Sequence, residues 1–342
     1  MTSLHKKSAF ITSWMLPKEF KQMKGTNDVI ELLCQSKNVL VGSHYNPDGD
    51  AIGSQLALGV ALERMGKNVT FFNRDVVPFN LTFLPESHRI VQKLPQGALF
   101  DTAIMVDVAQ PDRVGEAFEK IIGNAKLICI DHHILKEIKA DASVVDAEAC
   151  ATGEILIGLF KKMNVKLDQQ LALYLYTTLV VDTGFFCYSN TSERVLRHAA
   201  DLVACGVDPS AVATELEQNY PHERFALLAQ SLQTLDIDVD LEYASMTVTQ
   251  AMFKNTGATA ELSEEFGNIP RSLKGIEIAA LFRELPDGRV KVSLRSKKEF
   301  DVAAIARHFH GGGHLHAAGC TIEGPIEAAR AQIKAQIKQK KR

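Results

Sequence analysis

Between Asn38 and Asp182 short apolar runs of strand length alternate with stretches of helical periodicity, and few folds accommodate that alternation. The runs are Val39–Val41, Val69–Phe72, Ala103–Val106, Leu127–Ile130 and Ser143–Val145, with helices predicted over Ala51–Met65, Gly153–Lys162 and Gln169–Val180. Strands separated by helices build a mostly parallel sheet with helices on its faces, so residues 26–205 are predicted to form an α/β domain. In such sheets reactive groups collect beyond the carboxyl ends of the strands, where this chain carries its unusual polar residues.

After about Gly206 the pattern changes. A helical linker is expected over 206–235, then a smaller α+β domain over 236–342, in which strands follow one another without long helices between them. Tyr243–Thr249 alternates as a strand, and Glu277–Glu284 and Arg289–Arg295 flank the turn Pro286-Asp287-Gly288 as a hairpin. A length of 342 residues suits two such domains, and 46% apolar with 23% charged residues is the composition of a folded soluble protein.

Several classes are excluded by the same numbers. The net charge of −3 lacks the basic field that long duplex nucleic acid demands, so a nucleic-acid partner should be short. Lys338, Lys340, Lys341 and Arg342 read as a solvated helix end. Leu171–Val181, the longest apolar stretch, is too short to span a bilayer, so no membrane partner is expected. Lys6 and Lys7 before Ser8–Leu16 resemble a signal peptide, but Thr12, Ser13 and the following Pro-Lys-Glu spoil it. Six dispersed cysteines without a C-x-x-C pair fit a reduced, cytoplasmic chain, and a homodimer stays open.

Four segments carry the chemistry of the first domain. Ser43-His44-Tyr45-Asn46-Pro47-Asp48-Gly49-Asp50 joins a strand to a helix and puts one imidazole and two carboxylates in one loop; Asp50 could instead cap the helix. Asp107 ends the run Ala103–Val106, and the nearby Asp112 and Arg113 read as a surface turn or a local ion pair. Asp131-His132-His133 follows Leu127–Ile130. Neighbours in extended chain face opposite sides, so the two histidines are expected to divide into one metal ligand and one phosphate contact, with Asp131 orienting an imidazole. Asp182 closes an apolar helix at the negative end of its dipole, which calls for a positive neighbour, either a cation or an Arg.

Together His44, Asp48, Asp50, Asp107, His132 and Asp182 supply four carboxylates and two imidazoles. Without cations such a group repels itself and any phosphate. Two divalent ions neutralise four carboxylates, and a pair about 3.5–4 Å apart suits displacement at phosphorus. Oxygen and imidazole donors without thiolate favour Mn²⁺, with Mg²⁺, Fe²⁺ or Zn²⁺ as substitutes. In the second domain, Gly311-Gly312-Gly313-His314 lets backbone N–H groups approach an anion or, alternatively, caps a helix and turns; Arg295 could fork onto phosphate or make a surface salt bridge.

The ordered motifs S-H-x-x-P-D-G-D, V-D, D-H-H and D-T-G resemble the DHH phosphoesterase superfamily, and the later S-L-R-S and G-G-G-H are similar to its DHHA1 domain. The resemblance spans residues from about 26 to 325 and points to the nanoRNase/pAp-phosphatase branch. It implies Mn²⁺-dependent release of 5′-mononucleotides from short oligoribonucleotides, and removal of the 3′-phosphate of adenosine 3′,5′-bisphosphate. It further implies that His44, Asp48 and Asp107 hold one ion and that Asp50, Asp107, His132 and Asp182 hold the other. His133 would then grip the scissile phosphate, and Arg295, Gly312, Gly313 and His314 the rest of the substrate. His310 departs from the family, which commonly has a further Gly there, and no role is evident for Met1–Lys24. Alternative activities on the same centre are cyclic- or linear-dinucleotide phosphodiesterase and pyrophosphatase or exopolyphosphatase; a non-enzymatic alternative is a metal-stabilised nucleotide sensor.

Overall fold

The computed structural model describes residues 24–133 and 138–341, except for the side chain of His314. The basic N-terminal segment and Arg342 lie outside these residues. The chain divides into two compact units between Asn219 and Tyr220.

The first unit runs α1 (Thr26–Gln35), β1 (Asn38–Gly42), α2 (Gly49–Arg64), β2 (Asn68–Phe72), β3 (Thr102–Val106), α3 (Pro111–Val114), α4 (Glu116–Ile122), β4 (Lys126–Asp131), β5 (Ala142–Val145), α5 (Thr152–Lys162), α6 (Gln169–Asp182), α7 (Glu193–Ala204) and α8 (Pro209–Ala213). Its sheet has the order β2-β1-β3-β4-β5, and every pairing is parallel. Parallel strands are covered on both faces, which is why β3 is buried at all five positions and why these strands read as continuous apolar runs. Helix α2 is buried from Gly49 to Leu62, with α6 packed against it. The closeness depends on Gly53, where a Cβ would lie 2.8 Å from the Tyr174 carbonyl oxygen. The carboxyl ends of the strands are tied to one another, as where the Ser43 hydroxyl donates to Val106 O at 2.8 Å. The expected α/β domain is therefore present, each expected strand and helix matching an observed one to within two residues.

The second unit runs α9 (His222–Leu232), β6 (Asp236–Asp238), β7 (Tyr243–Val248), α10 (Gln250–Thr256), α11 (Asn268–Arg271), β8 (Ile278–Glu284), β9 (Val290–Ser296), α12 (Val302–His308), β10 (Gly312–His314), β11 (Ala317–Ile322) and α13 (Ile326–Lys340). Its mixed sheet is ordered β10-β11-β9-β8-β7-β6, with β7 and β8 parallel and the other pairs antiparallel. On α13 Ala329, Ile333 and Ile337 recur every fourth residue and are buried against this sheet, while Lys338 and Lys340 face solvent. Lys338 and Lys340 thus form the solvated helix end expected, while Lys341 reaches Glu242 at 2.8 Å.

Among the described residues no helix is long and apolar enough to cross a membrane. None of the six cysteines is paired.

Candidate metal centre

The first unit gathers its polar residues at the carboxyl edge of the sheet. His44 and Asp48 lie in the loop from β1 to α2. Asp48, rather than Asp50, caps α2, its Oδ1 accepting from the Asp50 and Ala51 amides at 3.1 and 3.0 Å. Asp50 sits within the first turn, fully buried, and turns its carboxylate toward the start of α5, where it accepts from Thr152 N at 2.6 Å and Gly153 N at 3.1 Å. Asp107 is the first residue beyond β3. Its amide is still held by Ile130 O at 2.9 Å, yet its φ is 58°, a left-handed turn that Asp tolerates better than most side chains and that leads the chain out of the sheet.

These groups meet. His44 Nε2 is 3.2 Å from Asp107 Oδ2, His132 Nε2 is 3.5 Å from Asp107 Oδ1, and His132 Nε2 is 3.2 Å from Asp182 Oδ2. Three sets of donor atoms each lie within 4.8 Å of one another: His44, Asp48 and Asp107; Asp50, His132 and Asp182; Asp107, His132 and His133. The first two sets share no residue, and the third joins them through Asp107 and His132. All six sequence-derived ligand candidates are therefore brought together.

The two histidines do not face opposite sides as extended chain would have them. Strand β4 ends at Asp131, alternation ends with it, and the rings lie edge to face with centroids 4.7 Å apart. Asp131 does meet an imidazole: its Oδ1 accepts the His133 amide at 3.1 Å and lies 2.6 Å from His133 Nδ1. The remaining nitrogen of His132 meets Ala149 O at 3.3 Å, which leaves Nε2 to the carboxylates.

The electrostatics are those of crowded, buried like charges. Burial, then the charges of Asp50 and Asp48, push the Asp107 carboxyl well above its ordinary range. Burial and the Asp50 charge push Asp182 up to about 7, and burial raises Asp50 as well. Burial alone would lower His132, but its hydrogen bond to Asp182 and the surrounding carboxylates hold it up at about 11. At the end of α6, among the described residues, the His132 imidazole and no Arg pairs with Asp182. For Asp131 burial acts upward, yet the bond to His133 prevails and keeps it ionised. A divalent cation fits this donor set, because it supplies positive charge to four crowded carboxylates and because the donors are all oxygen and imidazole nitrogen.

Sequence reasoning missed the segment Ala149–Glu154. Besides holding Asp50 and His132, it brings the Thr152 hydroxyl to Asp107 Oδ1 at 3.2 Å. It is itself clamped: Glu154 accepts from Cys150 N at 2.8 Å and from Arg194 at 2.7 Å, and the Asn190 amide bridges Cys150 O and Asp182 O. The only trace in the sequence is a Thr-Gly-Glu opening a helix, which has no distinctive chemistry.

Two family models match the chain, the DHH family N-terminal domain over residues 38–179 and the DHHA1 domain over 244–340. A bifunctional oligoribonuclease and PAP phosphatase NrnA of Thermus thermophilus is 33% identical over 312 residues, covering 90% of each chain. The chain belongs to the DHH/DHHA1 phosphoesterase family. An NrnA of Bacillus subtilis is 26% identical over 306 residues, covering 89% of this chain and 95% of that one. The crystal structure of an exopolyphosphatase-related protein from Bacteroides fragilis superposes with a TM-score of 0.86 at 26% identity, covering 92% of this chain and 96% of that one. As a member of this family the protein is a hydrolytic phosphoesterase, with its carboxylate and imidazole cluster in the DHH part.

In the DHHA1 part, Arg295 and His314 both pair through the backbone with Ala317 of β11, one from each side, so they occupy one row of the sheet. Among the described residues the Arg295 guanidinium meets the neighbouring Leu294 carbonyl, at 3.1 Å, and no acidic side chain. The glycine run is not a free loop. Gly312, Gly313 and His314 form the edge strand β10, and α12 closes before it with His310 in the left-handed position at φ 57°. There the His310 and Gly311 amides donate to Arg307 O and Ala306 O, the two bonds of a Schellman cap. His310 thus fills a left-handed position where Gly is the usual residue. A Cβ at Gly311 would lie 2.1 Å from Gly319 O and one at Gly313 2.4 Å from Ala317 O, whereas one at Gly312 would meet nothing. Two of the three glycines are accordingly required by the pairing with β11.

Proposed function

We propose that this phosphoesterase hydrolyses short oligoribonucleotides to 5′-mononucleotides, and also removes the 3′-phosphate of adenosine 3′,5′-bisphosphate. The observation that carries the reading is the pair of disjoint donor sets, His44–Asp48–Asp107 and Asp50–His132–Asp182, joined through Asp107 and His132. Such an arrangement would suit two divalent ions, one held by each set, with Asp107 and His132 linking the sets, and Mn²⁺ matches the donors best. Bound there, the ions would supply charge neutralisation and an activated water for attack at phosphorus.

The chain's own residues do the rest. Asp131 orients the His133 ring through the contact with its Nδ1, and the ring is proposed to donate a hydrogen bond to a phosphate oxygen of the substrate. Thr152 and Gly153 keep the Asp50 carboxylate in place through backbone N–H groups and so hold the cluster in register. Arg295, Gly312, Gly313 and His314 are proposed to bind nucleotide or phosphate groups beyond the scissile bond, dividing chemistry and selection between the two units. The NrnA relatives are named for these two activities, which supports the substrate class. A complete donor set beside His133 favours turnover over a sensor.

The test is a turnover panel in Mn²⁺ with pApA, short RNA, short DNA, pAp and pyrophosphate. Fastest release of mononucleotide from pApA and short RNA is expected. Pyrophosphate as the best substrate would replace the reading with phosphoanhydride hydrolysis.

A further inference from the structure

Beside His44 the first unit carries a basic, aromatic corner to which the metal cluster gives no role. Tyr45 is exposed, and two guanidiniums stack on its ring, Arg74 at 5.3 Å and Arg113 at 5.6 Å from the centroid. Arg113 had been expected in a surface turn or paired with Asp112; it lies instead on α3, against Tyr45. Among the described residues neither guanidinium has a hydrogen-bond or carboxylate partner, so two like charges lie against one ring without an ion-pair partner.

Their placement is built into the backbone. The residues flanking Arg74 both grip the loop after β1: the Asn73 side chain donates to His44 O at 3.1 Å, and Asp75 Oδ2 accepts from Asn46 N at 2.7 Å. Tyr45 N donates to Arg113 O at 2.8 Å. The Arg74 stem lies over Gly115, where a Cβ would come within 3.4 Å of it. Because β2, β1 and β3 are adjacent and parallel, the segments that follow them deliver Arg74, Tyr45 and Arg113 to the same edge of the sheet as the cluster.

We propose that Arg74 and Arg113, steadied on Tyr45, form an anion subsite that binds a terminal phosphate of the nucleotide whose other phosphate is attacked. The proposal rests on the short-oligonucleotide reading above. A guanidinium pair offers forked donors to phosphate, and stacking on an aromatic ring holds the forks in place while leaving their edges free. Uncompensated positive charge next to a cluster rich in carboxylates also opposes the repulsion that a doubly charged substrate would otherwise meet.

The experiment measures equilibrium binding of pApA and ApA with Ca²⁺ in place of Mn²⁺, alongside steady-state hydrolysis of both in Mn²⁺. It compares wild type, Arg74→Gln, Arg113→Gln and the double variant. Wild type should bind pApA more tightly than ApA, each single variant should lower that ratio about threefold, and the double variant about tenfold. The subsite is overturned by an unchanged ratio in the double variant, by a wild type without preference for pApA, or by a wild type that binds neither. A wild type that shows the preference and its loss in the variants, yet hydrolyses neither dinucleotide, would refute the proposed activity and leave the subsite standing.

Discussion

The two units present their candidate residues in opposite ways. In the first, His44, Asp107 and His132 come from three separate strand ends and converge because parallel strands point all their carboxyl ends the same way. In the second, Arg295 and the glycine run are parts of antiparallel strands, and a backbone row brings them together. Convergence of buried carboxylates is expensive and has no structural benefit, so it signals chemistry. Glycine in a tightly paired edge strand has a structural reason of its own, so the same residues carry less functional weight.

That contrast can be broken by mutation. The largest effect is expected for Asp107→Asn, which tolerates the left-handed backbone and removes only charge: hydrolysis should fall by about 10³-fold or more, with metal lost and the fold retained. An active, metal-loaded Asp107→Asn would end the proposal that this residue links the two donor sets. Next comes His133→Ala, expected to lower kcat by about 10²-fold with metal content unchanged, since its proposed partner is phosphate. Loss of metal to the same degree as in Asp107→Asn would make it a ligand instead. In the second unit, Arg295→Ala should cost about tenfold in kcat/KM on dinucleotides, flatten the preference for short over long RNA, and leave metals in place. An unchanged length profile would remove Arg295 from substrate selection.

Smaller still are effects on stability. Gly311→Ala should destabilise by about 1–3 kcal/mol because its Cβ strikes Gly319 O, while Gly312→Ala should be nearly neutral in thermal denaturation. Equal effects would mean that the β10–β11 pairing does not set the need for glycine.

In chelator, pH separates the units as well. Asp107 and Asp182 are raised in the folded state, so the folded chain keeps protons that the unfolded chain releases in the ordinary carboxylate range; stability therefore falls as pH rises through about 7. His132, held up at about 11, continues the same trend above the ordinary imidazole range, and Asp131, held low, acts only below this window. The melting temperature of the chelated protein should thus fall from about pH 5.5 to 8.5, and Mn²⁺ should flatten the slope. A rise with pH would contradict the buried, mutually repelling cluster.

Much of this is legible in the sequence because the period of buried parallel strands is plain and because Asp107, Asp131 and Asp182 stand at the ends of apolar runs. Helix α2 matches its expected bounds to within two residues, and the six ligand candidates lie together. The misreadings have local causes. Asp48 and Asp50 compete for one cap, and only the distant start of α5, about a hundred residues on, decides that Asp50 turns inward. His132 and His133 were assigned to opposite sides by a strand rule that lapses one residue earlier. Strand β10 was hidden by glycines that read as a loop, and Thr152 by its ordinary composition.

We propose that the donor sets of the first unit hold two divalent ions. The most direct measurement is the Mn²⁺ stoichiometry of chelated and reloaded protein, by calorimetric titration with elemental analysis. Two ions per chain, with hydrolysis of pApA appearing only as both sites fill, is the predicted result. Saturation at one ion, or full turnover by metal-free protein, would contradict it.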